Sequence, residues 1–166
     1  MKSTTKPRRP AGRAPADANK RLRGFIAKFE PKHQALIRSV RSALRKQFPT
    51  ACELVYDNYN FFVIGYGPTE RPSDSILSIA AAANGVGLCF IHGARLPDSH
   101  KVLLGSGKQT RFLRLESVKV LARPEVQALI AAAKAQSRVP FLATGRRKLI
   151  IRSVSAKQRP RRKPAL

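Results

Sequence analysis

Apolar residues recur at helical spacing in two segments of the chain. In residues 30–48 they follow one another every three or four positions, and the cationic side chains fall away from this stripe. Pro31 suits the first turn of such a helix, and Pro49 ends it because the residue before a proline is pushed out of helical geometry. A second stripe occupies residues 124–136 and begins with Pro124. The pattern therefore predicts two helices that enclose a central region.

Between the two helices the pattern changes to short runs of β-branched, aromatic and small apolar residues. Asn84 and Gly85 separate two of these runs and are the strongest hairpin signal in the chain. Both of these runs are apolar on both faces, which predicts a well-covered central pair. A weaker run at 148–154 indicates a late edge strand. The five main runs span residues 52–56, 61–66, 75–83, 86–91 and 111–115.

This order of elements predicts the α+β fold class. We expect an N-terminal helix, an antiparallel sheet of four to five strands, and a C-terminal helix packed on one face of the sheet. The domain is predicted to span residues 25–143, which hold all the aromatic residues of the chain. Residues 1–24 and 144–166 are rich in Lys, Arg, Pro, Ala and Ser. The first segment is therefore predicted to be a disordered basic tail, and the second a basic tail that is mostly disordered.

Positive charge is concentrated in these tails. The chain carries 33 Lys and Arg against 9 Asp and Glu, for a net charge of +24. Because cationic segments displace counterions from phosphates, the tails are predicted to associate with nucleic acid or another polyanion. The alternative is a solvated tail that only keeps the chain in solution. The tail residues proposed for nucleic-acid contacts are Arg8, Arg9, Arg13, Arg159, Arg161, Arg162 and Lys163.

A glycine-containing segment at 105–110 invites comparison with phosphate-binding loops. It departs from the P-loop pattern, because position 102 is Val and position 109 is Gln. A weaker possibility is an anion nest formed by the backbone N–H groups of the glycines. The plain alternative is a glycine turn that leads into a strand. The residues proposed for the nest are Gly105, Gly107, Lys108, Arg111 and Arg114.

Carboxylates suggest a second kind of site. Glu53 and Asp57 lie four residues apart on one predicted strand, so their side chains project to the same face. Together with Asp98 they are candidates for a hard-cation site or an acid–base pair. The alternative is that each pairs with a Lys or Arg. The side chains of Cys89, His92 and His100 match no common zinc spacing and are predicted to be structural.

The remaining sequence features bear on compartment and catalysis. Two cysteines are fewer than a secreted scaffold of this size usually has, so we expect buried thiols in a reducing compartment. The basic start is not followed by the apolar stretch of a secretory signal, and no apolar run is long enough to span a membrane. A soluble cytoplasmic protein is expected. No Gly-x-Ser-x-Gly elbow or Ser, His and Asp arrangement is recognisable, so we predict that it is not an enzyme.

The central region resembles the YdhG-like domain family, a group of small bacterial domains of largely unknown function. The resemblance covers about residues 25–140 and rests on PTACE at 49–53, GARLPD at 93–98 and LLGSGKQTRFLRL at 103–115, together with Tyr56 and Phe61. It implies an α+β fold similar to frataxin, with two helices on an antiparallel sheet. Some members are described as iron chaperones, which implies a binding function without catalysis.

Three functions therefore follow from the sequence. The first is a non-catalytic binding module with a YdhG-like core, whose basic tails hold an anionic partner such as nucleic acid. The second is an iron chaperone that uses Glu53, Asp57 and Asp98. The cationic face of the first helix disfavours iron, because weakly held iron needs clustered carboxylates. The third is an enzyme acting on a small anionic substrate near Lys108, Arg111 and Arg114. No cofactor is predicted except iron under the second.

Overall fold

A computed structural model describes residues 15–145 and 147–165 of the chain. Its helices and strands confirm the predicted α+β class. The predicted helices at 30–48 and 124–136 and all five main strands are present, with ends that differ by no more than two residues. The elements are α1 (Pro15–Ala27), α2 (Pro31–Gln47), β1 (Cys52–Asp57), β2 (Phe62–Gly67), β3 (Leu77–Ala82), β4 (Gly85–Phe90), β5 (Arg111–Leu115), α3 (Pro124–Ala135) and β6 (Leu149–Val154).

The strands form one sheet in the order β5-β4-β3-β2-β1-β6. Neighbours from β5 to β1 pair antiparallel, as predicted, whereas β6 runs parallel to β1. The predicted sheet of four to five antiparallel strands is therefore too small, and the observed sheet is mixed. The sixth strand forms because β1 offers an unpaired edge. The N–H of Glu53 donates to the carbonyl of Lys148 at 2.8 Å at the start of that pairing.

One face of the sheet packs against the helices and forms the core. Alternate residues of a strand share a face. On β2, Phe62 and Ile64 share the face that is turned toward the core, and both are fully buried there. The Phe29 ring, from the turn between α1 and α2, lies 5.9 Å from the Phe62 ring. On the opposite face, small residues such as Ala80 and Gly87 are only partly buried. The prediction of a central pair covered on both faces is therefore wrong for this second face.

The N-terminal boundary differs from the prediction. Residues 15–24, predicted to belong to a disordered tail, lie in helix α1. This helix packs on α2 through apolar residues one turn apart, Leu22 and Ile26, which are 1% and 3% exposed. Burying two large apolar side chains recovers the entropy lost on ordering the helix. Residues 1–14, which complete that predicted tail, lie outside the described residues.

The late edge strand predicted at 148–154 is confirmed as β6, but the C-terminal segment differs from the mostly disordered tail that was predicted around it. Beyond β6, the N–H of Ser155 and the side-chain amide of Gln158 both donate to the carbonyl of Asp57, at 2.9 and 2.7 Å. The Arg161 side chain then reaches the Asp57 carboxylate, and both side chains are almost completely buried. The described part of residues 144–166 is therefore bound along β1, where it satisfies backbone groups that the edge would otherwise expose to water.

Both cysteines are free: Cys52 is buried, as expected, and Cys89 is only partly so. Of the helices within residues 15–145 and 147–165, none has the length and apolar character needed to cross a bilayer.

Candidate functional site

A cationic groove lies between α1 and α2. It has a volume of about 400 Å³, and its apolar floor includes Leu22 and Ile26. We call it the basic groove. Ser42 and Asn19 are the polar uncharged residues of its wall. Its cationic residues are Arg23 from α1, Arg38, Arg41, Arg45 and Lys46 from α2, and Arg147 from the segment before β6.

Helix α2 supplies most of these cations because of its sequence spacing. Residues three or four apart share a helical face, so Arg38, Arg41 and Arg45 line up along one side. The opposite stripe, which includes Ile37 and Val40, is fully buried against the sheet. At 1.5 Å per residue the three arginines span about 10 Å. The amphipathic pattern that anchors the helix therefore also presents a row of positive charge.

Glu53, a residue of β1, pairs with Arg41 and Arg45, which we call the two inner arginines of the groove. Its carboxylate is 2% exposed and accepts two hydrogen bonds from Arg41, both at 2.9 Å. The Nε of Arg45 lies 3.6 Å from the same carboxylate, and the Tyr66 hydroxyl donates to it at 2.8 Å. A bidentate pair of this kind fixes the plane of the guanidinium group. Glu53 therefore orients the arginines and offsets part of their charge.

Arg147 is fixed by a different contact. Its Nε donates to the carbonyl of Pro49 at 2.9 Å, and its Nη2 donates to the carbonyl of Arg45 at 2.7 Å. Both carbonyls lie at the C-terminal end of α2, where the helix dipole favours a cation. Arg147 thereby closes one end of the basic groove with a positive charge.

The environment of Glu53 also changes the titration of Tyr66. Burial raises the pKa of the Tyr66 hydroxyl well above its ordinary value, and the Glu53 carboxylate raises that pKa further. The raised pKa means that folding favours the protonated hydroxyl. Its contribution to stability is therefore complete below the pKa of an unfolded tyrosine, about 10, and is lost as the pH rises beyond it.

This predicts a difference between wild type and Tyr66→Phe at alkaline pH. Above pH 10 the free energy of unfolding of the wild type should fall more steeply, by up to about 1.4 kcal/mol for each pH unit. Urea unfolding at pH 9 to 11 measures both slopes. Tyr59→Phe, which removes a hydroxyl from a side chain that is 48% exposed, is the matched control. Parallel slopes for wild type and Tyr66→Phe would contradict this account of Tyr66.

The C-terminal cations predicted to contact nucleic acid have structural partners instead. One Nη of Arg161 donates to a carboxylate oxygen of Asp57 at 3.0 Å and to the carbonyl of Asn58 at 2.5 Å. Arg162 donates to the carbonyl of Lys28 at 3.2 Å, at the end of α1. Arg161 is buried in these contacts, so the prediction that it binds nucleic acid is corrected. Arg162 is exposed, and its role in nucleic-acid contacts stays a prediction.

Of the other tail residues in that prediction, two lie in the described C-terminal segment, Arg159 and Lys163. The Arg159 guanidinium lies over the Tyr59 ring, 5.7 Å from its centre, and its backbone N–H donates to the Tyr59 carbonyl at 2.9 Å. Lys163 is exposed. The N-terminal residues of the prediction lie outside the described residues, and they are Arg8, Arg9 and Arg13.

The glycine segment forms a closed turn. Leu104 and Phe112 exchange backbone hydrogen bonds of 2.7 and 3.0 Å across its base. Arg111 donates from Nη1 to the carbonyls of Gly107 and Thr110, at 2.5 and 2.9 Å. Gly105 has a φ of 115°, a conformation that favours glycine.

These contacts support a glycine turn rather than an anion nest. Arg111 is engaged with carbonyl groups of the turn itself, so its guanidinium does not project free into a site. Lys108 and Arg114 are exposed, and the structure does not gather the three cations around one point.

The carboxylates proposed for iron are separated and already engaged. Glu53 and Asp57 share a face of β1, as predicted, but the cations around Glu53 neutralise it, and Lys28 and Arg161 both pair with Asp57. Asp98 lies in the loop after β4 and accepts from two backbone N–H groups four and five positions later, at 2.9 and 3.0 Å. Glu53 and Asp57 therefore pair with Lys or Arg, as the alternative interpretation predicted. Asp98 differs, because its partners are backbone N–H groups.

The other possible metal ligands also lie apart. Cys89 is on the partly open face of β4, and His92 and His100 are exposed in the following loop. Throughout residues 15–145 and 147–165, no group of three or more His, Cys, Asp or Glu side chains is arranged to hold a metal ion.

Sequence reasoning missed the basic groove as a site. The cations of α2 were evident only as the polar face of a helix, and Arg23 and Arg147 were attributed to tails. The available signal was the run of cations at positions 38, 41, 45 and 46, which repeats at helical spacing. The pairing of this face with a second helix was not evident, because α1 itself was not predicted.

Comparisons of the chain with models of protein families, with curated proteins and with solved structures found no match. The resemblance to YdhG-like domains therefore stays a prediction.

Proposed function

We propose that this protein is a non-catalytic binding module that holds the phosphate backbone of a nucleic acid in the basic groove. The observation that carries the proposal is the charge of the groove lining. Six Lys and Arg side chains line it, and the acid that pairs with two of them, Glu53, is buried beneath. Clustered positive charge on one face is the electrostatic footprint expected of a protein that binds nucleic acid.

The spacing of the cations suits a phosphate backbone. The arginine row of α2 extends about 10 Å, and a strand of duplex DNA presents a phosphate about every 3.4 Å along the helix axis. The row is therefore long enough to face more than one phosphate of a strand. Arg23 lies on α1, and Arg147, from the segment before β6, contacts the end of α2. Both place further charges beside this row. The lining residues are cationic, aliphatic or small and polar, and none of those described is aromatic. This lining suits contacts with phosphates rather than stacking on bases.

Two of the groove cations are fixed before any ligand binds. The bidentate pair with Glu53 orients Arg41, and two carbonyl groups hold Arg147. Ordering a free arginine costs about 2 kcal/mol of side-chain entropy. Prior contacts reduce that cost on binding, because less conformational freedom remains to be lost.

The role proposed for the tails changes accordingly. The C-terminal segment contributes to binding mainly by completing the domain. Residues 1–14 directly precede α1 and carry five Lys and Arg. We propose that this segment adds non-specific attraction to the phosphates held by the groove.

Duplex binding as a function of salt tests the proposal. Fluorescence anisotropy with two unrelated 20-base-pair duplexes should give equal affinities, because phosphates carry no sequence information. Each phosphate contact contributes about −0.9 to the slope of log K against log salt, so contacts by four to six groove cations predict a slope of roughly −4 to −5. An absence of saturable binding at about 150 mM salt, near physiological ionic strength, would contradict the proposed function.

A further inference from the structure

A second cavity lies at the end of the sheet. It shares no lining residue with the basic groove. Its volume is about 600 Å³, within the range of about 300–1,000 Å³ that small-molecule sites occupy. Two short turns, Pro72–Asp74 and Gly93–Arg95, and the C-terminal end of α3 form its walls. Phe90, at the end of β4, lies at its base. We call it the end cavity.

A hydrogen bond and close packing hold these walls together. The side-chain amide of Gln136, at the end of α3, donates to the carbonyl of Arg95 at 3.1 Å. Gly93 packs so closely on β5 that a Cβ atom placed on it would lie 2.5 Å from the Cβ of Arg111. Close packing of this kind fixes the second turn against the sheet. The cavity is therefore a preformed feature of the fold.

Three arginines line the end cavity, one beside each wall, and all three are exposed: Arg71, Arg95 and Arg138. Within the described residues, no ion pair engages any of their guanidinium groups. The lining contains one carboxylate, Asp74, and its Oδ2 accepts a hydrogen bond from the Thr69 hydroxyl at 2.6 Å. The lining thus has two more positive than negative charges, apart from His92 at the rim.

We propose that the end cavity binds a small organic phosphate monoester. A phosphate monoester carries about −1.5 to −2 charges at pH 7, which matches the excess positive charge of the lining. Arginine guanidinium groups recognise phosphate oxygens through paired hydrogen bonds. Apolar residues at the base of the cavity, among them Ile76, Phe90 and Leu96, provide contact for the organic part of the ligand. Ser73 and Ser75 add hydroxyl groups beside the arginines.

Calorimetric titration of the full-length protein with phenyl phosphate tests this site. At about 150 mM chloride we expect one saturable site per chain, and weaker binding of inorganic phosphate, which has no organic part to contact the base. Arg95→Gln combined with Arg138→Gln should weaken phenyl phosphate binding at least about tenfold, because each change removes charge-assisted hydrogen bonds. Circular dichroism and urea unfolding establish that the variant is folded.

The matched control removes two charges from the glycine turn and strand β5. Lys108→Gln combined with Arg114→Gln should change the affinity for phenyl phosphate less than twofold, since both residues lie outside the end cavity. Equal weakening by the two variants would overturn the proposal, because it would indicate only general attraction to a cationic protein. Equal affinity for inorganic phosphate and phenyl phosphate, or tighter binding of benzoate than of phenyl phosphate, would also overturn it. Duplex binding is measured separately, so failure here leaves the basic groove untouched.

Discussion

Replacing Arg161 by methionine is expected to lower the free energy of unfolding by about 3 kcal/mol. Breaking a buried ion pair by removing one partner typically costs about 3–5 kcal/mol, because an uncompensated charge stays buried. Here Asp57 is 0% exposed and the Arg161 side chain is 2% exposed. Two features place the effect at the lower end of the range. Lys28 also pairs with Asp57, and two nitrogens of Arg161 are buried without a hydrogen-bond partner among the described residues.

Urea unfolding of Arg161→Met beside Lys163→Met separates this contact from a general effect of charge. Lys163 is exposed, so its substitution should change the free energy of unfolding by no more than about 0.5 kcal/mol. Adding Asp57→Asn to Arg161→Met should recover at least about 1 kcal/mol, because residues in one ion pair couple by about 0.5–3 kcal/mol. Equal stability of Arg161→Met and the wild type would show that the C-terminal segment is not bound as described.

The second large effect concerns the basic groove. Changing Arg23, Arg38 and Lys46 to glutamine should weaken duplex binding roughly 100-fold at 150 mM salt, if each exposed contact contributes about 1 kcal/mol. The salt slope should become less steep by about 2.7. All three side chains are exposed and none pairs with Glu53. The fold should therefore tolerate the changes, and urea unfolding provides the check.

A matched variant removes the same charge from elsewhere. Lys101, Lys108 and Arg114 are exposed and lie on β5 or in the loop before it, at the sheet edge opposite β6. Their change to glutamine should weaken duplex binding by less than about fivefold, through the reduced net charge alone. Equal loss of affinity in the two triple variants would contradict a localised groove.

Much of the fold could be predicted because its main elements are amphipathic or apolar over their whole length. The stripe of α2 and the Asn84-Gly85 turn are local signals, and local signals survive in a single sequence. Helix α1 was missed because its apolar stripe is short and lies in a base-rich stretch, so composition indicated disorder. Its stability comes from packing on α2, which no local pattern reveals.

The pairing of the C-terminal strand and the basic groove show the same limit in different ways, although the run at 148–154 did predict the strand itself. Strand β6 is stabilised by pairing with β1, almost 100 residues earlier in the chain. The groove needs α1 and α2 side by side, and the partner of the two inner arginines, Glu53, comes from a strand. Charge counts could locate the positive residues along the sequence. They could not distinguish Arg161, which is buried in an ion pair, from Arg38, which is exposed in the groove.

Protection of a cysteine placed in the basic groove tests the central claim most directly. Ser42 lines the groove and is exposed, whereas Ser99 is exposed in the loop before β5. Burial raises the pKa of the native Cys52 and Cys89 thiols, so both should react slowly with iodoacetamide at neutral pH. The rate of alkylation is measured for Ser42→Cys and Ser99→Cys, with and without saturating duplex at 150 mM salt. We predict at least about tenfold protection at position 42 and less than twofold at position 99. Equal rates at position 42 with and without duplex would contradict binding in the groove.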